Sequence, residues 1–220
     1  QIEVDPYPPA FTSEFLAKAA KLNLKPVFLP GEEITRDSRL RGWIKPGKWF
    51  YERVREGKIK SCFTDVLPFQ LVRGWYLADF TVGVDYTDGS QVMPSDSLAE
   101  TIAKLRQEDK VGKYDNTPVG SRFAITHNEW HNIVCPAIAV ELGLSPGQVR
   151  LERAIEFNAI GNLYDDNRGR FNMWEWFLDP FEDSDRLCGG RRDFGGLASV
   201  RYDGPSLRID DIVARPLVSF

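Results

Sequence analysis

The sequence predicts an α+β fold, helices set against a β-rich remainder, and three observations carry that expectation. Residues 75 to 86 read as a strand, with Trp75, Leu77, Asp79 and Thr81 on one face and Phe80, Val82 and Val84 on the other. Ser97–Glu100 and Thr126–Glu129 both have the Ser/Thr-x-x-Glu pattern of a capping box, each followed by apolar residues at helical spacing. The segment 189–215 follows neither period: glycine pairs and a Gly204-Pro205-Ser206 turn punctuate it, and charged, aromatic and β-branched residues mix between them.

At 220 residues the chain can bury a sizeable core, and 42% apolar with 27% charged residues is the composition of an ordinary globular protein. No apolar run is long enough to span a membrane, and no leader pattern is visible from Gln1 onward, so localisation stays open. The net charge of −4 argues against nucleic acid as the main partner, because phosphate binding needs a basic field. Arg191, Arg192 and Arg201 are only a local exception. Three cysteines, Cys62, Cys135 and Cys188, are odd in number and far apart, which reads as reduced, buried thiols rather than a disulfide framework.

Taken in order, residues 1–10 are a proline-bearing arm. A short amphipathic helix follows from Phe11 to Leu22, with Phe15, Leu16, Ala19 and Leu22 as its apolar stripe and Thr12 or Ser13 as its cap. Pro26 and Pro30 are expected to close that segment. The aromatics Trp43, Trp49, Phe50 and Tyr51 sit among basic residues and are expected to pack onto the rest of the chain. Residues 1–65 therefore read as an N-terminal extension packed on a main domain of residues 66–220.

After the strand, Thr87-Asp88-Gly89-Ser90 has the residues of a tight turn, and Gln91-Val92-Met93 is expected to return as the second arm of a hairpin. The first capping box opens a helix with the stripe Leu98, Ile102 and Leu105; the second opens one with Trp130, Ile133, Val134 and Ala137. Pro136 should kink or end that second helix. From Gln148 onward short strands and turns are expected, with 158–169 a polar loop. Trp174 and Trp176 flank Glu175 as in a core strand, where a buried carboxylate needs donors; backbone amides of the glycine-rich turns are natural ones.

Several residues could carry chemistry. His127 and His131 are four apart on a helix, so both project from one face and could share a zinc ion. The spacing is H-x-E-x-H, however, and Glu129 lies on the wrong side of the helix to serve a metal-bound water, so the histidines read as residues at the solvent edge. Asp165, Asp166, Asn167, Asp179, Glu182, Asp183 and Asp185 offer oxygen ligands but match no calcium-loop spacing, and read as acidic surface loops. No nucleophile elbow, Walker loop, Cys-x-x-Cys or dinucleotide fingerprint is present. No metal or cofactor is expected, and the chain reads as a binding protein rather than an enzyme.

The tail, GG…GGLAS-x-R-x-x-GPS-x-x-x-x-x-I-x-AR, resembles the variable region of diversity-generating retroelement variable proteins. Asn172-Met173-Trp174-Glu175-Trp176 is similar to the N-x-W-E-W signature of the formylglycine-generating-enzyme-like branch, and Thr126-x-x-Glu129-Trp130 to a helix-opening motif of that branch. The resemblance implies a C-type-lectin fold over residues 66–220, two helices flanking a mixed, largely antiparallel β-core, with a variable region at about 189–215. It implies a hypervariable ligand- or receptor-binding surface, diversified by a retroelement, in phage, viral, bacterial or archaeal hosts.

On that pattern the frame is Gly189, Gly190, Ala198, Gly204, Pro205, Ser206, Ile212, Ala214 and Arg215. The variable positions, which would bind the ligand, are Arg191, Asp193, Phe194, Val200, Tyr202, Asp203, Leu207, Ile209, Asp210 and Asp211. They are expected to gather on one open patch. The block between Gly190 and Gly195 is shorter than in the family, and Arg192 stands where the family has Trp. The partner is an unknown protein or surface ligand, and the oligomeric state is open. The alternatives are an oxidase of the formylglycine-generating type, which needs two neighbouring cysteines where the tail offers Cys188 alone, and a fixed-specificity, calcium-dependent carbohydrate lectin.

Overall fold

The structure, a computed structural model, describes residues 4–38 and 42–220. Thr12 caps helix α1 (Ser13–Lys21) by accepting the Phe15 amide on its hydroxyl, as the sequence predicts. Ala19 and Leu22 of the expected stripe are buried, with Phe15 and Leu16 packed half-buried beside them. Pro26 does not close the segment. It lies inside strand β1 (Leu24–Leu29), opposite Leu77, which is tolerated because β1 is an edge strand and can do without that donor. The aromatic–basic stretch forms α2 (Lys48–Arg55), whose Phe50 is fully buried with Ile59, Phe157 and Phe177.

Strand β2 is confined to Gly74–Asp79, and the expected hairpin does not form. Asp79 ends the strand. Its buried carboxylate accepts the Thr81 amide at 2.8 Å and an N–H of the Arg122 guanidinium, so the strand stops there and Phe80–Tyr86 stay out of the sheet. Asp88 does make a local turn, accepting the Ser90 amide at 3.0 Å, but the chain on either side of it is irregular.

The box at Ser97–Glu100 is also corrected. Helix α3 (Ala99–Gln107) begins one residue later, with Leu98 as its N-cap, after an Asp96 turn whose carboxylate accepts the Leu98 amide at 2.9 Å. The second box holds. Thr126 accepts the Glu129 amide at 3.1 Å and Glu129 reaches back to the Thr126 amide at 2.8 Å, opening α4 (His127–Glu129).

Pro136 does not end the second helix. Trp130–Val134 winds as a π-helical turn, and α5 (Cys135–Leu142) follows with Pro136 in its first turn and Gly143 as a left-handed C-cap. The wider turn before the proline accommodates its missing N–H within a continuous helical rod.

After β3 (Val149–Leu151) comes helix α6 (Ala154–Leu163), where strands and a polar loop were expected. It is buried from Ala154 to Gly161, so it shows no apolar–polar period. Glu156 accepts the Arg153 amide and Asp179 the Ala154 amide, which satisfies its first donors. Five strands complete the chain: β4 (Trp174–Phe181), β5 (Asp185–Gly189), β6 (Val200–Asp203), β7 (Ile212–Ala214) and β8 (Pro216–Ser219).

The fold is α+β with two sheets. One is antiparallel in the order β1-β2-β8-β3; the other runs β6-β5-β4-β7, antiparallel except for the parallel pair β4–β7. The largest core cluster lies between them, where Trp130, Ile138, Trp174, Trp176 and Leu77 meet. Residues 4–29 belong to this framework, since β1 pairs with β2 and Phe11 and Leu24 enter the same core. Among the described residues no helix is long and apolar enough to cross a membrane.

Candidate functional site

The terminal segment leaves the second sheet at the end of β5 and returns as β6 and β7. Its glycines are set by contact. A Cβ on Gly189 would lie 2.1 Å from the Ser199 carbonyl oxygen, and Gly190 has φ +85°, where a side chain is strained. Gly189, Gly190, Ile212, Ala214 and Arg215 of the expected frame are buried; Ala198, Gly204 and Pro205 are half-buried, and Ser206 is exposed. None of the candidate variable positions is buried. Asp193, Phe194, Tyr202 and Leu207 are exposed, and Arg191, Val200, Asp203, Ile209, Asp210 and Asp211 are half-buried.

They do not form one patch. Alternation along β6 sends Arg201 and Asp203 to one side and Val200 and Tyr202 to the other. On the first side Arg201 lies 4.2 Å over the ring of Trp174, Arg191 lies 5.8 Å over it, and Phe194 tilts against it at 5.1 Å. Each guanidinium is held. Arg201 donates to Asp203 at 2.5 Å, and Arg191 to Asn172 at 2.5 Å and to Asp211. Burial pushes the Asp211 carboxyl up, against the pull of Arg191 and Arg201.

On the second side Tyr202 stacks on Phe181 at 3.9 Å and, beyond it, Trp49. The two sides meet at the sheet margin, because β6 is an edge strand. There a hollow of about 450 Å³ is lined by Trp49, Trp174, Phe194, Val200 and Arg201. It combines flat aromatic walls with a partly exposed cation, features that carry much of the energy at binding interfaces.

Leu207, Ile209 and Asp210 lie away from this hollow. Ile209 packs against the main core, and Asp210 accepts from the Tyr86 hydroxyl at 2.6 Å. Arg208 holds this part of the loop. It donates to both carboxylate oxygens of Glu129, at 2.9 and 2.8 Å, and to the Ala124 carbonyl at 2.6 Å. Glu129 is thus occupied by the capping box, the Gly112 amide and Arg208 together.

Glu175 is buried as expected, but its donor is a side chain. Arg215 Nε reaches its carboxylate at 2.8 Å, and no glycine-turn amide does so. Among the candidate chemical groups, His131 is at the solvent edge, whereas His127 is buried, with its ring 6.1 Å from that of His131. Burial pushes His127 down to about 3, and Arg186 and His131 act in the same direction.

Asp165 and Asp179 are not in surface loops. Both are buried, Asp165 3.4 Å from the Arg168 guanidinium and Asp179 at the start of α6. Among the described residues no group of three or more His, Cys, Asp or Glu converges as metal ligands would. Cys135 and Cys188 are buried and Cys62 half-buried; burial pushes each thiol up to about 12.

Sequence reasoning passed over Trp174, Arg201 and Trp49 as parts of this surface. The alternation Trp174-Glu175-Trp176 placed both indoles in the core, which is where they are. The available signal was Arg201, whose place at the fixed arginine of the tail's skeleton puts a cation beside changeable neighbours. No family model, curated protein or solved structure matches the chain.

Proposed function

We propose that this chain is a non-enzymatic ligand-binding protein that displays a changeable recognition surface, its terminal segment, on a C-type-lectin scaffold. The observation that carries the proposal is the division of labour in residues 189–215. Every candidate variable side chain reaches solvent at least in part, while Gly189, Gly190 and the Ile212-Ala214-Arg215 end of the frame are buried. Exposed positions can change with little loss of stability, whereas positions filled by close backbone contact cannot. The lectin reading is supported by the pairing of early strand β2 with the C-terminal strand β8, and by α1 and α5 against a mixed β-core.

The hollow at the β6 edge would then be the centre of the surface, and its partner a protein or other surface ligand that offers aromatic or anionic groups to Phe194, Trp49 and Arg201. Diversification by a retroelement is the source of variation this reading implies. An oxidase of the formylglycine-generating type fits less well. Cys188 is sealed in the core with its thiol raised, the opposite of the low pKa that thiolate chemistry requires.

Two measurements test the proposal. In the genome of origin, a reverse transcriptase gene should lie beside a near-copy of this 3′ end that differs at adenines; its absence counts against retroelement diversification. In the protein, Asp193→Ala, Phe194→Ala and Leu207→Ala combined should move Tm by no more than about 2–4 °C, while Gly189→Ala alone lowers it further. A triple variant that fails to fold would show that these side chains hold the structure up and would end the proposal.

A further inference from the structure

A second cavity, of about 590 Å³, opens on another part of the molecule, between α4 and its π-helical continuation, β3, the β4–β5 hairpin and the Cys62-Phe63 loop. That volume is in the range of small-molecule sites. Its lining is divided by chemistry. Phe63, Val149 and Leu178 supply an apolar wall, and His127, His131, Asn132 and Arg186 supply polar groups.

Two features of this lining are unexplained by the fold. The first is His127. Its side chain is 97% buried, being 3% exposed, and lines the cavity with neither ring nitrogen hydrogen-bonded. The Phe177 backbone and the Asn128 side chain are close enough to favour its protonated form, but neither meets a ring nitrogen at hydrogen-bond distance and angle. The edge of Trp176, 5.8 Å away, backs the ring on its inner side. A buried imidazole so weakly partnered carries a desolvation cost that a ligand in the cavity would reduce.

The second is charge. No Asp or Glu lines the cavity among the described residues. The Arg150 cation is spent on Glu156, which it meets at 2.7 and 2.8 Å. Arg186 donates to the Asp185 carbonyl at 2.9 Å and has no carboxylate at ion-pair distance among the described residues. Asp203, its neighbour across the β5–β6 pair, is engaged by Arg201.

We propose that this cavity is a binding site for a small organic carboxylate, with the carboxylate between Arg186 and the His127 ring and the hydrocarbon body against Phe63, Val149 and Leu178. A guanidinium and an imidazole N–H are both donors suited to a carboxylate, and the wall removes apolar surface from water. The site is distinct from the hollow beside Trp174 and stands whether or not that surface is changeable. It nevertheless touches the same segment. Asn128, at its rim, donates its backbone amide to the Pro205 carbonyl at 3.1 Å and its side chain to Ser206 at 2.9 Å.

The chain contains two histidines, so the imidazole signals in NMR can be assigned with one His131→Gln variant. Benzoate and phenylacetate should shift the His127 signals saturably at millimolar concentration or below, and benzamide and phenylacetamide should bind at least about tenfold more weakly. Arg186→Gln should weaken carboxylate binding about tenfold, and Lys18→Gln, on α1 and outside the cavity lining, should leave it unchanged. Absence of a saturable shift with both carboxylates, or equal binding of acids and amides to the unmodified protein, would overturn the proposal. So would an Arg186→Gln protein that binds them as before.

Discussion

Arg215 and Glu175 show how this chain uses charge. Both are buried, and Arg215 Nε meets the carboxylate at 2.8 Å. Arg122 with Asp79 and Asp96, Arg168 with Glu152, and Arg150 with Glu156 repeat the arrangement elsewhere in the core. At Asp79 burial works against the charged carboxyl, but the neighbouring guanidinium groups outweigh it and the pKa is lowered. Such pairs are costly to break because the survivor stays buried and charged. Glu175→Gln should therefore destabilise the protein by about 3–5 kcal/mol in urea unfolding, and an apolar replacement of both partners, Glu175→Leu with Arg215→Met, should recover much of it.

These residues were poorly legible beforehand. Sequence patterning assigns charge to the surface, which is why Asp165 and Asp179 were expected in acidic loops. Nothing local in the sequence says which arginine will meet which carboxylate across the core. His127 was misplaced at the solvent edge for the same reason. Its depressed pKa has a measurable consequence. The unfolded histidine titrates near 6.5 and the folded one near 3, so between those values the unfolded chain binds the extra proton. Stability should fall as pH drops below about 6.5, by up to about 1.4 kcal/mol per unit from this group alone. Burial is the main cause of the shift; Arg186 and His131 add to it, and the Phe177 backbone and the Asn128 side chain oppose it. In urea titrations at a series of pH values, His127→Gln should remove this loss between pH 6.5 and about 5, where Glu152, pushed up to about 7 by burial, acts in the opposite direction in both proteins.

Among the elements, those opened by a local hydrogen bond were readable and those made by burial were not. Thr12 and Thr126 cap α1 and α4 as their positions suggest, because a hydroxyl three residues before a free amide is a local relation. Thr126→Ala should cost about 1 kcal/mol, read as a shift in the urea midpoint with unchanged slope. Ser97 has the same pattern but lost the start of α3 to Asp96, whose carboxylate took the Leu98 amide instead. Helix α6 escaped because its polar residues are inside. Asn158 accepts from Trp43 Nε1 at 2.8 Å and donates to the Ile44 and Leu197 carbonyls, so a side chain that signals a loop serves as a core junction. Strand β2 was seen but overextended, since its alternation continues past Asp79 while its partners β1 and β8 do not.

At the scale of the whole molecule, the frame of the candidate site was legible and its geometry was not. Glycine spacing and the Gly204-Pro205-Ser206 turn mark a segment of constrained backbone, and the residues between them do reach solvent. That the segment wraps an edge strand, parting Tyr202 from Arg201 and Asp203, depends on the pairing of β6 with β5 and of β4 with β7. Those pairings join residues far apart in sequence, where local pattern carries no information. The same holds for the first sheet, in which β8 lies between β2 and β3 and is the partner of both. During synthesis, β3 therefore waits for Pro216–Ser219 before it has a neighbour in the sheet. A shifted reading frame or early stop upstream of Pro216 would release a chain whose first sheet cannot close, so messages altered in that way would yield protein fit for degradation rather than a shortened, folded form.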